Sequence, residues 1–243
     1  MQKSAKKAKP AAEAAIAAAD IDLERIDRTR PLRDQIYAIV RRMILTSEFA
    51  PSSIIDEKAI ASKLGVSRTP VREAVKKLSD ENLVEVKAQS ATIVAPMDSH
   101  QVREAFVIRR ALEVESIGFA AELMNERHFG RLEELHLLHT HAIQRKRYVD
   151  AISWDDAFHR YISEISNLPR LWKAIEISKA QLDRCRHLTV PRPGLAEATL
   201  EQHRTIINAL VRKDRELSRL MMSEHLEKAY EGIVRFLESM PGD

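Results

Sequence analysis

Gly65-Val66-Ser67 constrains this chain more than any other stretch, because it sets a tight turn between two segments whose apolar residues recur at helical spacing. Before it, Asp56 offers a side-chain oxygen to cap a helix that turns Ile60 and Leu64 inward, and Gly65 ends that helix in the left-handed conformation. After it, Ser67 opens and caps a second helix with Val71, Val75 and Leu78 as its apolar stripe. Two helices joined in this way form a helix-turn-helix. Upstream, Ile36, Ile39, Val40, Met43 and Ile44 fall on one face of a helix beginning near Leu32, and Phe49-Ala50-Pro51-Ser52-Ser53 breaks its period. Downstream, Leu83-Val84-Glu85-Val86 and Ala91-Thr92-Ile93-Val94 are β-prone runs around a polar turn, which make a wing. The expected unit is a winged helix-turn-helix over residues 31–97, with Ala95 to Ser99 as the connector.

From Gln101 onward no strand-like alternation occurs. Periodic segments at roughly 101–124, 127–146, 149–166, 169–188, 197–212 and 214–238 predict an all-α antiparallel helical bundle over residues 98–243. The fold class is therefore mostly α, and 243 residues suffice for two modest cores. Residues 1–30 read as a mobile tail, basic first and alanine-rich after. Pro10 and Glu13 interrupt it, and alanine is too weakly hydrophobic for a secretory core. Its Lys3, Lys6, Lys7 and Lys9 either add phosphate contacts or are simply solvated. No stretch approaches the ~18 apolar residues of a membrane-spanning helix. Cys185 stands alone, which excludes an internal disulfide framework and makes it a small packed or surface side chain. These features fit a soluble, cytoplasmic protein.

Formal net charge is +3 and the pI about 9.0, so affinity for nucleic acid needs a local basic face rather than a cationic whole. On the helix opened by Ser67, the side chains of Arg68, Arg72, Lys76 and Lys77 lie away from the Val71, Val75, Leu78 stripe. Arg68 and Arg72 stand near its N-terminus, the end of a recognition helix that meets base edges, where an arginine fork engages guanine O6 and N7 together. Ser67 and Thr69, with the N–H groups of the first turn, suit a phosphate. An ordinary solvated face is the alternative reading of these charges. The helix, the turn and the wing arriving in order argue against it.

Ser67-Arg68-Thr69-Pro70-Val71-Arg72-Glu73-Ala74-Val75 resembles the signature stretch of the GntR superfamily of bacterial transcription regulators, and the helical C-terminal part resembles the FCD domain of its FadR-type subgroup. The similarity covers about residues 31–238. It implies a DNA-binding regulator, more often a repressor, acting as a homodimer on a near-palindromic double-stranded operator. The positions matching Lys58, Ser67, Arg68 and Arg72 face the operator in that family. Two departures stand out. The wing turn Lys87-Ala88-Gln89-Ser90-Ala91 and the loop Ala50-Pro51-Ser52-Ser53 both lack a glycine the family commonly has, which puts the wing's DNA contacts in question.

Asp155 and His159 are four apart and share one helical face, while His203 and His225 lie on the inward stripes of two later helices. Each histidine alone is more often a core residue than a ligand. Together with one carboxylate, they are best satisfied around a divalent cation. Asp155-Asp156-Ala157-Phe158-His159 resembles the family's D-x-x-F-H segment, and Gln202-His203-Arg204 and Glu224-His225-Leu226 sit where the family has its second and third histidines. The resemblance implies Asp155, His159, His203 and His225 as ligands and leaves out Asp156, which is on another face. The donor set suits Zn, Ni, Mn or Fe. Glu133 to His136 spells E-x-x-H, but no matching set for a di-iron bundle exists, so His136, His139 and His141 are expected on a solvated face.

A cation with an open position and a nearby arginine is a receptor for a carboxylate. Arg109 matches an arginine that often lines the family's pocket, although it can instead pair with Glu113 on its own helix; Asn167 is a second candidate and can instead end its helix. The resemblance implies that a small organic acid binds here and shifts operator affinity. Two rival readings remain at this point: a metal-dependent hydrolase, for which no second carboxylate presents itself as general base, and a structural metal bundle that mediates dimerisation.

Overall fold

The computed structural model describes residues 15–16, 26–87 and 91–239. Lys3, Lys6, Lys7 and Lys9 and the wing-turn residues 88–90 lie outside them. The chain divides into two compact units, Met1–Pro96 and Met97–Asp243.

In the first unit β1 (Ala15–Ile16), α1 (Leu32–Leu45), β2 (Ile54–Ile55), α2 (Glu57–Leu64), α3 (Arg68–Asp80), β3 (Val84–Lys87) and β4 (Ala91–Val94) follow one another. Ile36, Val40, Met43 and Ile44 of α1, Ile60 and Leu64 of α2 and Val71, Val75 and Leu78 of α3 are all buried, with α3 in contact with both α1 and α2. Asp56 caps α2 by accepting from the N–H groups of Lys58 and Ala59, both at 2.9 Å, and Gly65 closes it at φ 61°. β3 and β4 form the wing ladder, antiparallel with Val84 opposite Val94 and Lys87 opposite Ala91. The sheet runs β1-β2-β4-β3, with β2 antiparallel to β4.

Three details differ from the sequence reading. β1 runs parallel to β2 inside the segment read as a mobile tail. Within that same segment, Asp27 is tied to α1, its N–H donating to Gln35 Oε1 at 2.8 Å. Ser67 stands at the start of α3 but its hydroxyl makes no capping bond. In the loop before α2, where glycine is missing, Ser52 itself takes the left-handed conformation at φ 65°.

The second unit holds α4 (Ser99–Leu123), α5 (Glu126–Gln144), α6 (Tyr148–Ile165), α7 (Pro169–Ser178), α8 (Ala180–Thr189), α9 (Leu195–Val211) and α10 (Arg215–Glu238). The segment read as one helix over 169–188 is two, broken at Lys179. Lys179 is buried, and its ammonium bonds Asp183 and Asp156 at 2.7 Å, so charge pairing rather than an apolar stripe organises this point. Ile117, Leu132, Phe158, Ile162, Ile206, Ile207, Leu210 and Met222 build the main core from α4, α5, α6, α9 and α10. Each such side chain contributes about 1.5–3 kcal/mol of burial. A smaller cluster includes Val102, Leu182, Ile233 and Cys185, whose thiol is pushed by burial up to about 11. Among the described residues, no helix is long and apolar enough to cross a membrane.

Candidate metal centre and nucleic-acid interface

On α3 the packing stripe consumes Val71, Ala74, Val75 and Leu78, which leaves Arg68, Thr69, Arg72 and Lys76 exposed on the opposite side, with Ser67 exposed at its start and Lys58 exposed on α2. Arg72 is weakly restrained, its Nε 3.8 Å from Glu57 Oε2. Lys77 is more committed, its ammonium 3.6 Å from the centre of the Tyr37 ring. The N-terminal half of α3 thus carries cations that the core does not use.

The second unit is built the opposite way. α6 delivers Asp155 and His159, α9 delivers His203 and α10 delivers His225, all buried, and one donor atom from each lies within 4.8 Å of the others. His159 Nδ1 is 2.5 Å from Glu113 Oε2, and His225 Nδ1 is 2.8 Å from Gln202 Oε1. Both partners accept, so each Nδ1 is the donor, which leaves each Nε2 as the ligand atom of a neutral ring. Those two Nε2 atoms face one another at 3.2 Å. His203 Nε2 lies 3.3 Å from Asp155 Oδ1, out of hydrogen-bond alignment, and neither of its ring nitrogens finds a partner among the described residues. Phe158 stacks on the His203 ring at 4.1 Å. Two facing Nε2 atoms, an unbonded buried imidazole and an adjacent carboxylate are the surroundings a cation completes, so the residues present fit a divalent metal.

Electrostatics hold the donors in ligand form. Burial lowers His203 to about 3 and drives His225 well below the ordinary histidine range, so both imidazoles stay neutral. Burial alone would raise the Asp155 carboxyl, but the Arg186 guanidinium outweighs it and holds the group well below the usual range. Glu113 behaves alike: burial opposes ionisation, and Arg109 with His159 brings it down to about 2. Arg186 bonds Asp155, Asp156 and Asp183 at once.

A cavity of about 260 Å³ opens beside these groups, with Arg109, His139, Asp155, Arg186, Gln202 and His225 among its lining. Arg109 Nε donates to Glu113 Oε1 at 2.5 Å, while its Nη2 is buried and makes no hydrogen bond among the described residues. Both readings of Arg109 therefore meet in one side chain. Asn167 is not brought to the cavity; it is exposed and follows α6 at φ 58°, its N–H donating to the Glu164 carbonyl at 3.0 Å.

Residues 32–94 match the family described as bacterial regulatory proteins, gntR family, and residues 104–228 match the FCD domain. The chain belongs to the GntR family. The HTH-type transcriptional repressor RspR of Escherichia coli K12 is 33% identical to this GntR-family chain over 86% of it and 91% of RspR. The probable D-xylose utilization operon transcriptional repressor of Paenarthrobacter nicotinovorans is 28% identical over 85% and 90%. The solved structure of E. coli McbR/YncC superposes with a TM-score of 0.73 at 25% identity, over 85% of this chain and 98% of that one. A putative GntR regulator from Rhodococcus sp. RHA1 shares the fold, with a TM-score of 0.69 at 20% identity. The chain is thus a transcriptional regulator with a winged helix-turn-helix and an all-helical FCD domain, and these relatives are regulators rather than enzymes.

For this GntR-family chain, a further sequence expectation is overturned: His136 and His139 are buried, not solvated, because α5 turns Leu132, Leu135, His136, His139 and Ala142 inward as one stripe. Only His141 remains exposed. His139 lines the cavity 5.3 Å from the His203 ring, and burial lowers it to about 4. The supporting groups Glu113, Gln202 and Arg186 carry no motif of their own. The available signal was helical spacing, since Arg109 to Glu113 is i, i+4 and Gln202 adjoins a ligand histidine.

Proposed function

We propose that this chain is a cytoplasmic, homodimeric repressor of a near-palindromic operator, and that a small carboxylate bound beside a divalent metal in its FCD cavity controls operator affinity. In this reading residues 31–97 read DNA, residues 98–243 bind effector and partner, and residues 1–30 are a tail. Lys58, Ser67 and Thr69 hold phosphates and fix register, and Arg68 and Arg72 read base edges. Asp155, His159, His203 and His225 hold the metal, which is Zn, Ni, Mn or Fe by its donor set. When bound, that ion supplies a Lewis-acidic position for a carboxylate oxygen. Glu113 and Gln202 orient His159 and His225 through their Nδ1 protons.

The observation that carries the effector assignment is the buried Arg109 Nη2, without a hydrogen bond, at the cavity that also reaches the four-residue cluster. A buried guanidinium N–H without an acceptor is costly, and a ligand carboxylate supplies one. Repression is favoured by the likeness to RspR and to the D-xylose operon regulator, both named as repressors. The dimer reading is supported by Val107 and Ile108, apolar side chains left exposed on α4. The test is a thermal-shift screen against small organic acids, run on the metal-loaded protein and again after chelation. An acid that raises Tm only with metal, and that releases operator DNA, is the expected result. Chelation that lowers Tm while no acid binds in either form would make the metal structural.

A further inference from the structure

We infer that His139 is a further effector-contacting residue, and that it selects acids carrying a third oxygen close to the carboxylate, as hydroxy and keto acids do; this rests on the effector reading above. Helical periodicity places the ring. Leu132, Leu135, His139 and Ala142 share the buried stripe of α5, so the imidazole enters the domain among packed side chains. It is 3% exposed and lines the cavity. Its Nδ1 is buried, and no hydrogen bond to either ring nitrogen is found among the described residues. A histidine ring carries at least one N–H in either protonation state, so a donor at the cavity lacks an acceptor. Leaving a buried donor unmet is costly.

The metal cluster does not supply that acceptor. Its donor atoms converge within 4.8 Å from Asp155, His159, His203 and His225, while the His139 ring lies beyond His203, 5.3 Å away between ring centres. A bound cation is no acceptor either. Of the other lining groups, Gln202 Oε1 accepts from His225, the Thr199 hydroxyl donates to the Leu195 carbonyl at 3.0 Å, and Asp155 is held by Arg186. Lys228, Glu231 and Arg235 are exposed and keep their water. Thr189 and Tyr230 add hydroxyls to the lining, which suits a ligand with more than one polar group. In the effector reading, one carboxylate oxygen takes the ion's open position and the other accepts from Arg109 Nη2. Arg109 joins the cluster through Glu113 and His159, whereas His139 adjoins it through His203. The two unmet donors therefore approach the ligand from different members of the cluster, and a third ligand oxygen answers His139.

Isothermal titration of the Zn-loaded full-length protein with hexanoate and its 2-hydroxy, 3-hydroxy and 2-oxo forms tests this, with succinate and malate as a dicarboxylate pair. At least one oxygenated acid is expected to bind about tenfold more tightly than its parent. His139→Leu should bring each pair to within about threefold, while affinity for the parent acid and for Zn stays unchanged. His139→Gln keeps an N–H donor and should restore part of the preference. A preference that survives His139→Leu would overturn the inference, because the ion or another lining group would then read the third oxygen. Equal binding of parent and oxygenated acids by the unsubstituted protein would also overturn it, needs no variant, and leaves acid sensing intact. Loss of Zn binding in a folded His139→Leu protein would make His139 a metal ligand and overturn it too. If no acid of either series binds with Zn present, the inference falls, and a failed wider acid screen would then overturn the effector reading beneath it.

Discussion

The two functional regions of this regulator are built on opposite principles. On α3 the side chains proposed to read DNA are those the core rejected: Arg68 and Arg72 are exposed, and Arg72 Nε stands 3.8 Å from Glu57. In the FCD domain the side chains proposed as ligands are themselves core: His159, His203 and His225 are buried, with His159 bonded to Glu113, His225 bonded to Gln202 and His203 beside Asp155. A helix face can therefore change its specificity without changing stability, whereas a metal held by the buried cluster, as proposed, would couple binding to folding. The difference is physical: an exposed cation keeps its water until DNA replaces it, but a buried polar group must be satisfied by the protein or its ligand.

The sharpest way to break this comparison is at Glu113, which joins Arg109 to His159. Glu113→Ala should cost about 3–5 kcal/mol in urea unfolding, because it leaves a buried guanidinium unpaired. A cost below 1 kcal/mol would show that the cluster is not part of the core. Metal removal comes next: at free metal a hundredfold above Kd, chelation should lower stability by about 3 kcal/mol. The isolated DNA-reading function should lose nothing intrinsic.

The pH dependence of the metal-free protein separates the regions further. Burial holds His139 near 4 and His203 near 3, below the unfolded value of 6.5. Between those values the unfolded chain binds more protons, so stability is full above 6.5 and declines as pH falls toward 4. Each histidine should contribute a loss of up to about 2 kcal/mol by pH 5. Flat urea midpoints from pH 7.5 to 5 would contradict their burial in neutral form.

Smaller effects sharpen the contrast from the exposed side. Arg72→Ala should weaken operator binding by about 1–3 kcal/mol in a gel-shift or anisotropy assay, retain salt-dependent nonspecific binding, and leave Tm in place. A lost Tm would mean that α3 uses this arginine structurally. Smallest is Asn167→Gly, which relieves a left-handed backbone at φ 58° and should stabilise by up to about 1 kcal/mol without altering acid binding. Loss of acid binding in that variant would return Asn167 to the pocket.

Legibility in the sequence followed the same division. The α2-turn-α3 arrangement could be read because it is local: Asp56, Gly65 and the Val71, Val75, Leu78 stripe act within a few residues of themselves. That Asp155, His159, His203 and His225 share one cluster could be read from helical spacing and family resemblance. Its supports could not, because Glu113 and His159 are 46 residues apart and Asp155 and Arg186 are 31 apart. His139 was misplaced for a related reason. Histidine spacing on α5 says which residues share a face, but not that the face packs inward. The break at Lys179 escaped notice because its cause, pairing to Asp156 and Asp183, spans two helices.

By itself the sequence determined the elements whose cause is local: the capped helices, the glycine turn, the wing runs and the exposed cations of α3. Only the tertiary structure decided which charges share a buried cluster, and that the Nδ1 atoms of His159 and His225 are already spent on Glu113 and Gln202. Caps and periodicities are set by neighbours a few residues away. The net charge and satisfaction of a buried site are sums over groups that only folding brings together.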